Sequence, residues 1–174
     1  MVEAVHSRVK RESIAAPYDP GLSVVSHLLG SGTMIEYRTT PKTADEKETL
    51  VAFLNNQRAI LAWKLDGLSR EEAVRPMVSS GTSLLGVVSH MATVELHWFG
   101  EIAAEGAYEL PGEMAKWFGR IRERWESGQD DDAEFRVDAG ETVEEILGYY
   151  ETAIGIANAI VEAHDLEHVG ARDS

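Results

Sequence analysis

Apolar residues recur at steps of three and four along three stretches of the chain, which is the spacing of one face of an α-helix. The pattern predicts long helices over residues 45–67, 82–102 and 142–170. A shorter amphipathic helix is predicted over 112–129, between a glycine-rich break and a run of aspartates. The second helix has the widest apolar arc, so we expect it to lie at the centre of the fold.

Residues 1–40 differ from the rest, because prolines and glycines interrupt any regular period. Only Leu22–Leu29 could form a short apolar element there, and the one stretch with some strand alternation is 134–137. We therefore predict a poorly structured N-terminal extension over 1–40 and a helix-bundle domain over 41–174. The predicted fold class is all-α, an antiparallel up-down bundle.

The composition argues against several classes of function. Lys and Arg number 16 against 30 Asp and Glu, so the net charge is −14, which repels nucleic-acid phosphates and anionic membrane surfaces. We expect no nucleic-acid or membrane partner. The chain has no cysteine, which leaves imidazole and carboxylate as metal ligands and requires any reactive thiol to come from a cosubstrate. No apolar run reaches the roughly 20 residues that span a bilayer, so we expect a cytoplasmic location.

The second predicted helix carries the most distinctive polar residues. His90, His97 and Glu101 share one stripe at the edge of its apolar face, and Glu95 falls inside the apolar arc, where a charge needs a partner. One interpretation is that His90, helped by Glu95 or His97, holds a divalent zinc, nickel or iron ion. The other is two edge histidines and a buried glutamate bonded to a neighbouring helix. Periodicity does not decide between them.

A second histidine pair lies near the end of the last predicted helix. His164 and His168 are one helical turn apart, so both rings could meet one metal, with His90 as a third ligand from across the bundle. The alternative is a fraying helix end, where histidines stabilise the helix dipole.

The tryptophans and glycines give little indication of a functional site. Their periodic positions favour core or bundle-edge packing for four tryptophans: Trp63, Trp98, Trp117 and Trp125. The glycines form no phosphate loop and the serines lack a nucleophile elbow, so neither nucleotide hydrolysis nor serine-hydrolase chemistry is supported.

Several segments resemble one branch of the DinB superfamily, the mini-circle proteins related to mycothiol-dependent enzymes. The opening helix over 44–69 carries part of the resemblance, and the second-helix segment over 80–100, with His90, Glu95 and Trp98, matches closely. Later landmarks lie at 135–137 and 163–166. The resemblance covers most of residues 44–172.

This resemblance implies a four-helix bundle in which His90 joins a Glu or His and another His of the final helix around a divalent metal. Some relatives of this kind act as thiol-dependent transferases or isomerases, with the metal activating the sulfur of a low-molecular-weight thiol. The family's last helix would begin shortly after Arg172, whereas the sequence stops at Ser174. We therefore expect an incomplete site and carry over His90 alone as metal ligand.

A bundle short of its last helix should expose apolar surface, which the N-terminal extension would cover in part and which favours a homodimer. The leading hypothesis is a DinB-like, metal-binding relative of thiol-dependent transferases, with His90 as ligand and Glu95 ordering the site. The rival is a non-catalytic helical interaction protein, or a degenerate family member, without bound metal.

Overall fold

Four long helices and one short helix build the part of the protein that the computed structural model describes, namely residues 24–28, 34–38, 43–128, 130 and 132–171. The helices are α1 Glu46–Leu65, α2 Arg70–Ala73, α3 Leu84–Glu95, α4 Gly112–Glu126 and α5 Val143–Ala163. Helix α3 continues as a π-helical segment, Leu96–Ala103, and a 3₁₀ turn, Ala133–Phe135, precedes α5. None of the described helices is long and apolar enough to cross a membrane.

The helices begin where local capping chemistry places them. The Asp45 side chain accepts a hydrogen bond from the Glu48 amide at 2.7 Å, and Ser83 caps α3 in the same way. Thr142 and Glu145 form a reciprocal capping box at the start of α5. These predicted helix starts are confirmed.

Contacts at the helix ends establish the topology. At one end of the bundle, Lys47 at the start of α1 donates to the carbonyl of His164 just after α5. At the other end, Arg70 donates to the carbonyls of Glu141 and Asp138, immediately before α5, at 2.7 and 3.0 Å. Arg124, near the end of α4, reaches the Asp138 carboxylate at 3.1 Å. The long helices therefore run up, down, up and down, which confirms the predicted antiparallel all-α bundle and makes α4 a full member of it.

The core lies between α1, α3, α4 and α5. Its largest fully buried side chains are Trp117, Tyr150, Leu65, Leu85, Leu96, Met114 and Ile146. The Trp117 ring stacks on Tyr149 at 5.0 Å between centroids. Helix α3 is the central helix, as its wide apolar arc predicts. Of the four tryptophans only Trp117 is core, whereas Trp63, Trp98 and Trp125 lie at the bundle edge with 41 to 57% of their surface exposed.

Helix α1 turns only part of its apolar stripe toward the core. The buried residues of α1 are three alanines, which let the helix backbones approach closely, and three larger side chains: Ala52, Ala59, Ala62, Asn56, Arg58 and Leu65. The larger residues Leu50 and Phe53 remain 52 and 60% exposed. The apolar stripe that predicts the helix is thus divided, because Leu65 is buried and Leu61 and Leu68 pack against the core, while Leu50 and Phe53 face solvent.

A two-stranded antiparallel hairpin lies against α1. Its strands are β1 Val24–Leu28 and β2 Met34–Arg38, with Val24 opposite Arg38 and Leu28 opposite Met34. The sequence pattern did not predict this hairpin, because short strands that pair with each other leave little period to detect. The strand considered at 134–137 is instead the 3₁₀ turn followed by extended chain. The boundary at residue 40 stays a prediction.

A buried ion pair joins α1 to α3. The Arg58 guanidinium donates to both oxygens of the Glu95 carboxylate, at 2.7 Å from Nε and 2.5 Å from Nη2, and each side chain is only 2% exposed. The remaining guanidinium nitrogen donates to Asn55 and to Asn158 of α5, each at 2.8 Å. This fork-to-fork geometry satisfies both charges inside the core. Burial and the Glu95 charge raise the pKa of Tyr150 far above its usual value, so its hydroxyl stays protonated.

We expect Glu95→Ala to lower the free energy of unfolding by about 3–5 kcal/mol, because it leaves the Arg58 guanidinium buried without a counter-charge. Urea denaturation measures this loss. The control is Glu113→Ala, which removes the exposed Glu113–Lys116 pair and should leave stability unchanged. A double variant, Arg58→Met with Glu95→Leu, should recover most of the loss, and failure of Glu95→Ala to destabilise would contradict the pairing.

Candidate functional site

His90 lies on α3 and turns its ring toward the 3₁₀ turn. The ring stacks on Phe135, with centroids 4.1 Å apart and planes inclined by 17°. Its Nδ1 atom is buried, makes no hydrogen bond, and lies 3.5 Å from the Glu134 carboxylate. The side chain as a whole is 28% exposed, so one part of the ring remains open to solvent. His90, Glu134 and Phe135 together form what we call the His90 site.

A glycine on α3 allows the 3₁₀ turn to come this close. A Cβ atom at Gly86 would stand 2.4 Å from the Phe135 carbonyl oxygen, a distance that no side chain tolerates. Ala133 anchors the same turn in the core, and Arg136 fixes its far side through a 3.0 Å bond to Asp130. Gly86 lies about one turn before His90, so the close approach sets the turn directly beside the ring.

A carboxylate lies beside one of the two ring nitrogens of His90. A negative charge at 3.5 Å favours the tautomer with its proton on Nδ1, which leaves the Nε2 lone pair available. Histidines that bind metals commonly have this arrangement, in which a carboxylate faces the ring nitrogen that does not ligate. The sequence pattern singles out His90 but not Glu134, since no local signal connects residues 44 positions apart.

Neither expected helper of His90 takes part in the site. Glu95, predicted to help hold the metal or order the site, is engaged by Arg58, so the alternative of a buried glutamate bonded to a neighbouring helix is confirmed. His97 lies 3.9 Å from Glu101, which also pairs with Arg122 of α4. These groups form a half-exposed charge network along the edge of α3.

The helical geometry predicted for His164 and His168 is wrong. Helix α5 ends at Ala163, and His164 already has an extended backbone, because the chain turns there to cross the end of the π-helical segment. His168 bonds the Ala103 carbonyl at 2.8 Å and the Ala171 amide bonds the Ile102 carbonyl at 2.9 Å. The two imidazole rings stack at 3.8 Å, and the segment caps helix carbonyls that would otherwise lack donors.

The number of ligand side chains decides whether the His90 site can hold a divalent metal ion. His90 with Glu134 matches one ligand and its orienting carboxylate, whereas protein metal sites ordinarily use three or four ligands. Within the described residues, no group of three or more His, Asp or Glu side chains is arranged to hold a metal ion. The described part of the chain therefore offers one ligand position and not a complete site.

A family model described as Mycothiol-S-transferase matches residues 49–174, more than half of the chain. The predicted resemblance to DinB-like, mycothiol-related proteins is thereby confirmed. No curated protein and no solved structure matched the chain.

Substituting Gly86 by alanine should disturb the His90 site. The added methyl group must displace the Phe135 carbonyl, so we expect a loss of about 1–3 kcal/mol from the free energy of unfolding, together with a shift of the His90 ring resonances as Phe135 moves. Gly148→Ala is the matched control, because a Cβ there meets nothing within 4 Å and alanine favours the helix. Equal behaviour of the two variants would refute the close approach.

Proposed function

The chain belongs to the mycothiol-S-transferase family, and from this membership we propose that it acts with a low-molecular-weight thiol at the His90 site. The family description supplies the reaction class, in which the sulfur of the thiol bonds to an acceptor as a leaving group departs and the thiol proton is released. Because the chain has no cysteine of its own, the sulfur must come from the cosubstrate.

The observation that carries this proposal is the environment of the His90 ring. The Glu134 carboxylate lies 3.5 Å from Nδ1, which favours a proton on that nitrogen and a lone pair on Nε2, and Phe135 covers one ring face and so restricts the orientation of the imidazole. Such a ring, fixed at a partly exposed edge of the bundle, can present a ligand atom to an arriving molecule. The exposed edge also gives a small thiol access.

We further propose that Nε2 of His90 is a ligand for zinc, nickel or iron. A metal bound there would lower the pKa of the thiol sulfur and favour its reactive thiolate. The role of this chain's own residues is to orient: Glu134 fixes the tautomer and Phe135 fixes the ring plane. The described residues supply only this one ligand position.

The second candidate function is a non-catalytic helical protein. The feature that favours it is the complete pairing of Glu95 with Arg58, which accounts for the most unusual residue of the sequence as a structural element. In that case the His90 site is a remnant of a family site. The expected cytoplasmic location stays a prediction under either function.

Metal analysis of protein purified without a histidine tag separates the two functions. With one ligand position among the described residues, we expect the wild type to bind added zinc, nickel or iron weakly and His90→Ala to lose that binding, because the substitution removes the ligand. His97→Ala is the matched control, a histidine on the same helix with 32% exposure against 28%. Glu134→Gln should weaken metal binding roughly 10–100-fold by disturbing the tautomer.

The thiol is tested separately by titrating mycothiol into the metal-loaded protein and measuring heat. Binding to the wild type and to His97→Ala, but not to His90→Ala, supports the proposal. Wild-type protein that carries no metal and binds no mycothiol would instead establish the non-catalytic alternative.

A further inference from the structure

Helix α1 presents an unusual surface to solvent. Six of its residues, spaced at alternate steps of four and three, are all exposed: Glu46, Leu50, Phe53, Gln57, Ile60 and Lys64. We call them the α1 stripe. Leu50, Phe53 and Ile60 are 52, 60 and 39% exposed with the β hairpin in place. Alternating steps of four and three are the heptad spacing by which one helix packs along another.

The two ends of the α1 stripe carry opposite charges. Glu46 lies in the first turn of α1 and Lys64 in its last turn. Lys64 also lies over the Trp63 ring, with its Nζ 5.0 Å from the ring centroid. A second α1 running parallel would place like charges together, whereas one running antiparallel would place Glu46 opposite Lys64 at both ends. Antiparallel helices also oppose their dipoles favourably.

One antiparallel register satisfies the whole stripe. With Leu50 opposite Ile60 of the partner subunit, Phe53 falls opposite Gln57 of the partner subunit. The same register places Lys64 opposite Glu46 of the partner subunit, because each pair of positions sums to 110. The apolar contacts then lie inside and the charges at the two ends, as in a two-fold symmetric helix pair.

We propose that the α1 stripe is a homodimer interface in which two copies of this chain pack their α1 helices antiparallel in this register. The occupant of the stripe is a second copy, because the stripe complements itself in both apolar position and charge. This inference does not depend on the thiol chemistry proposed for the His90 site.

The estimated area of the contact indicates how strongly two copies associate. Twenty helical residues span about 30 Å and a helix seam is about 10 Å wide, so each copy buries roughly 300 Å² along α1. The total of roughly 600 Å² is below the 1,200 Å² typical of stable complexes. We therefore expect a weak dimer with a dissociation constant on the order of 10–100 µM.

Sedimentation velocity over about 5–500 µM brackets this constant. The wild type should pass from monomer to dimer, and Phe53→Gln should weaken the dimer roughly tenfold or more by removing the central aromatic anchor. Trp125→Gln is the control, a similarly exposed aromatic residue on α4. Circular dichroism checks that both variants fold. A wild type that stays monomeric throughout, as when another segment of the same chain covers the stripe, overturns the proposal, as does equal weakening by both variants.

Charge reversal tests the register. Lys64→Glu should weaken the dimer, because it faces Glu46 of the partner subunit with a like charge. Adding Glu46→Lys to that variant should restore wild-type association, since both end pairs regain opposite charges. A double variant that associates no better than Lys64→Glu would overturn the antiparallel register.

Discussion

The buried pair between Arg58 and Glu95 is the constraint on which the rest of the structure depends. One guanidinium joins three helices, because it holds the Glu95 carboxylate of α3 with two hydrogen bonds and reaches Asn158 of α5 with a third contact. Separating two charged side chains that are only 2% exposed would leave each charge buried without a partner. The pair therefore fixes the rotation of α1 about its axis. That rotation turns the alanines of α1 inward and leaves Leu50 and Phe53 on the surface.

The same pair also explains why Glu95 and His90, both on α3, have different surroundings. Because Glu95 is fully engaged by Arg58, it is not available to His90, which lies more than one turn earlier and faces the 3₁₀ turn. The His90 ring meets a different carboxylate, that of Glu134, at the place where Gly86 admits the turn. Membership of the mycothiol-S-transferase family motivates the proposal that this ring is a metal ligand, and the described residues supply one ligand position.

The sequence predicts those features that local chemistry determines. Helix starts at Asp45, Ser83 and Thr142 depend on caps within three residues, and the wide apolar arc of α3 correctly places it at the centre. Periodicity also marks Glu95 as unusual. It cannot find Arg58, which is 37 residues away and on another helix.

Other features depend on contacts between distant segments, so the sequence pattern does not reveal them. The apolar stripe of α1 predicts a helix but not which face meets the core. Helix α5 ends before His164 because the following chain caps the π-helical segment, and Glu134 reaches His90 only after the chain has folded. The claim that Arg58 and Glu95 form a bidentate buried pair is tested most directly by the NMR spectrum of the Arg58 guanidinium. Bidentate pairing predicts slow rotation about the Nε–Cζ bond and separately resolved Nη protons, unlike those of the exposed Arg120. A single averaged signal for Arg58 would contradict it.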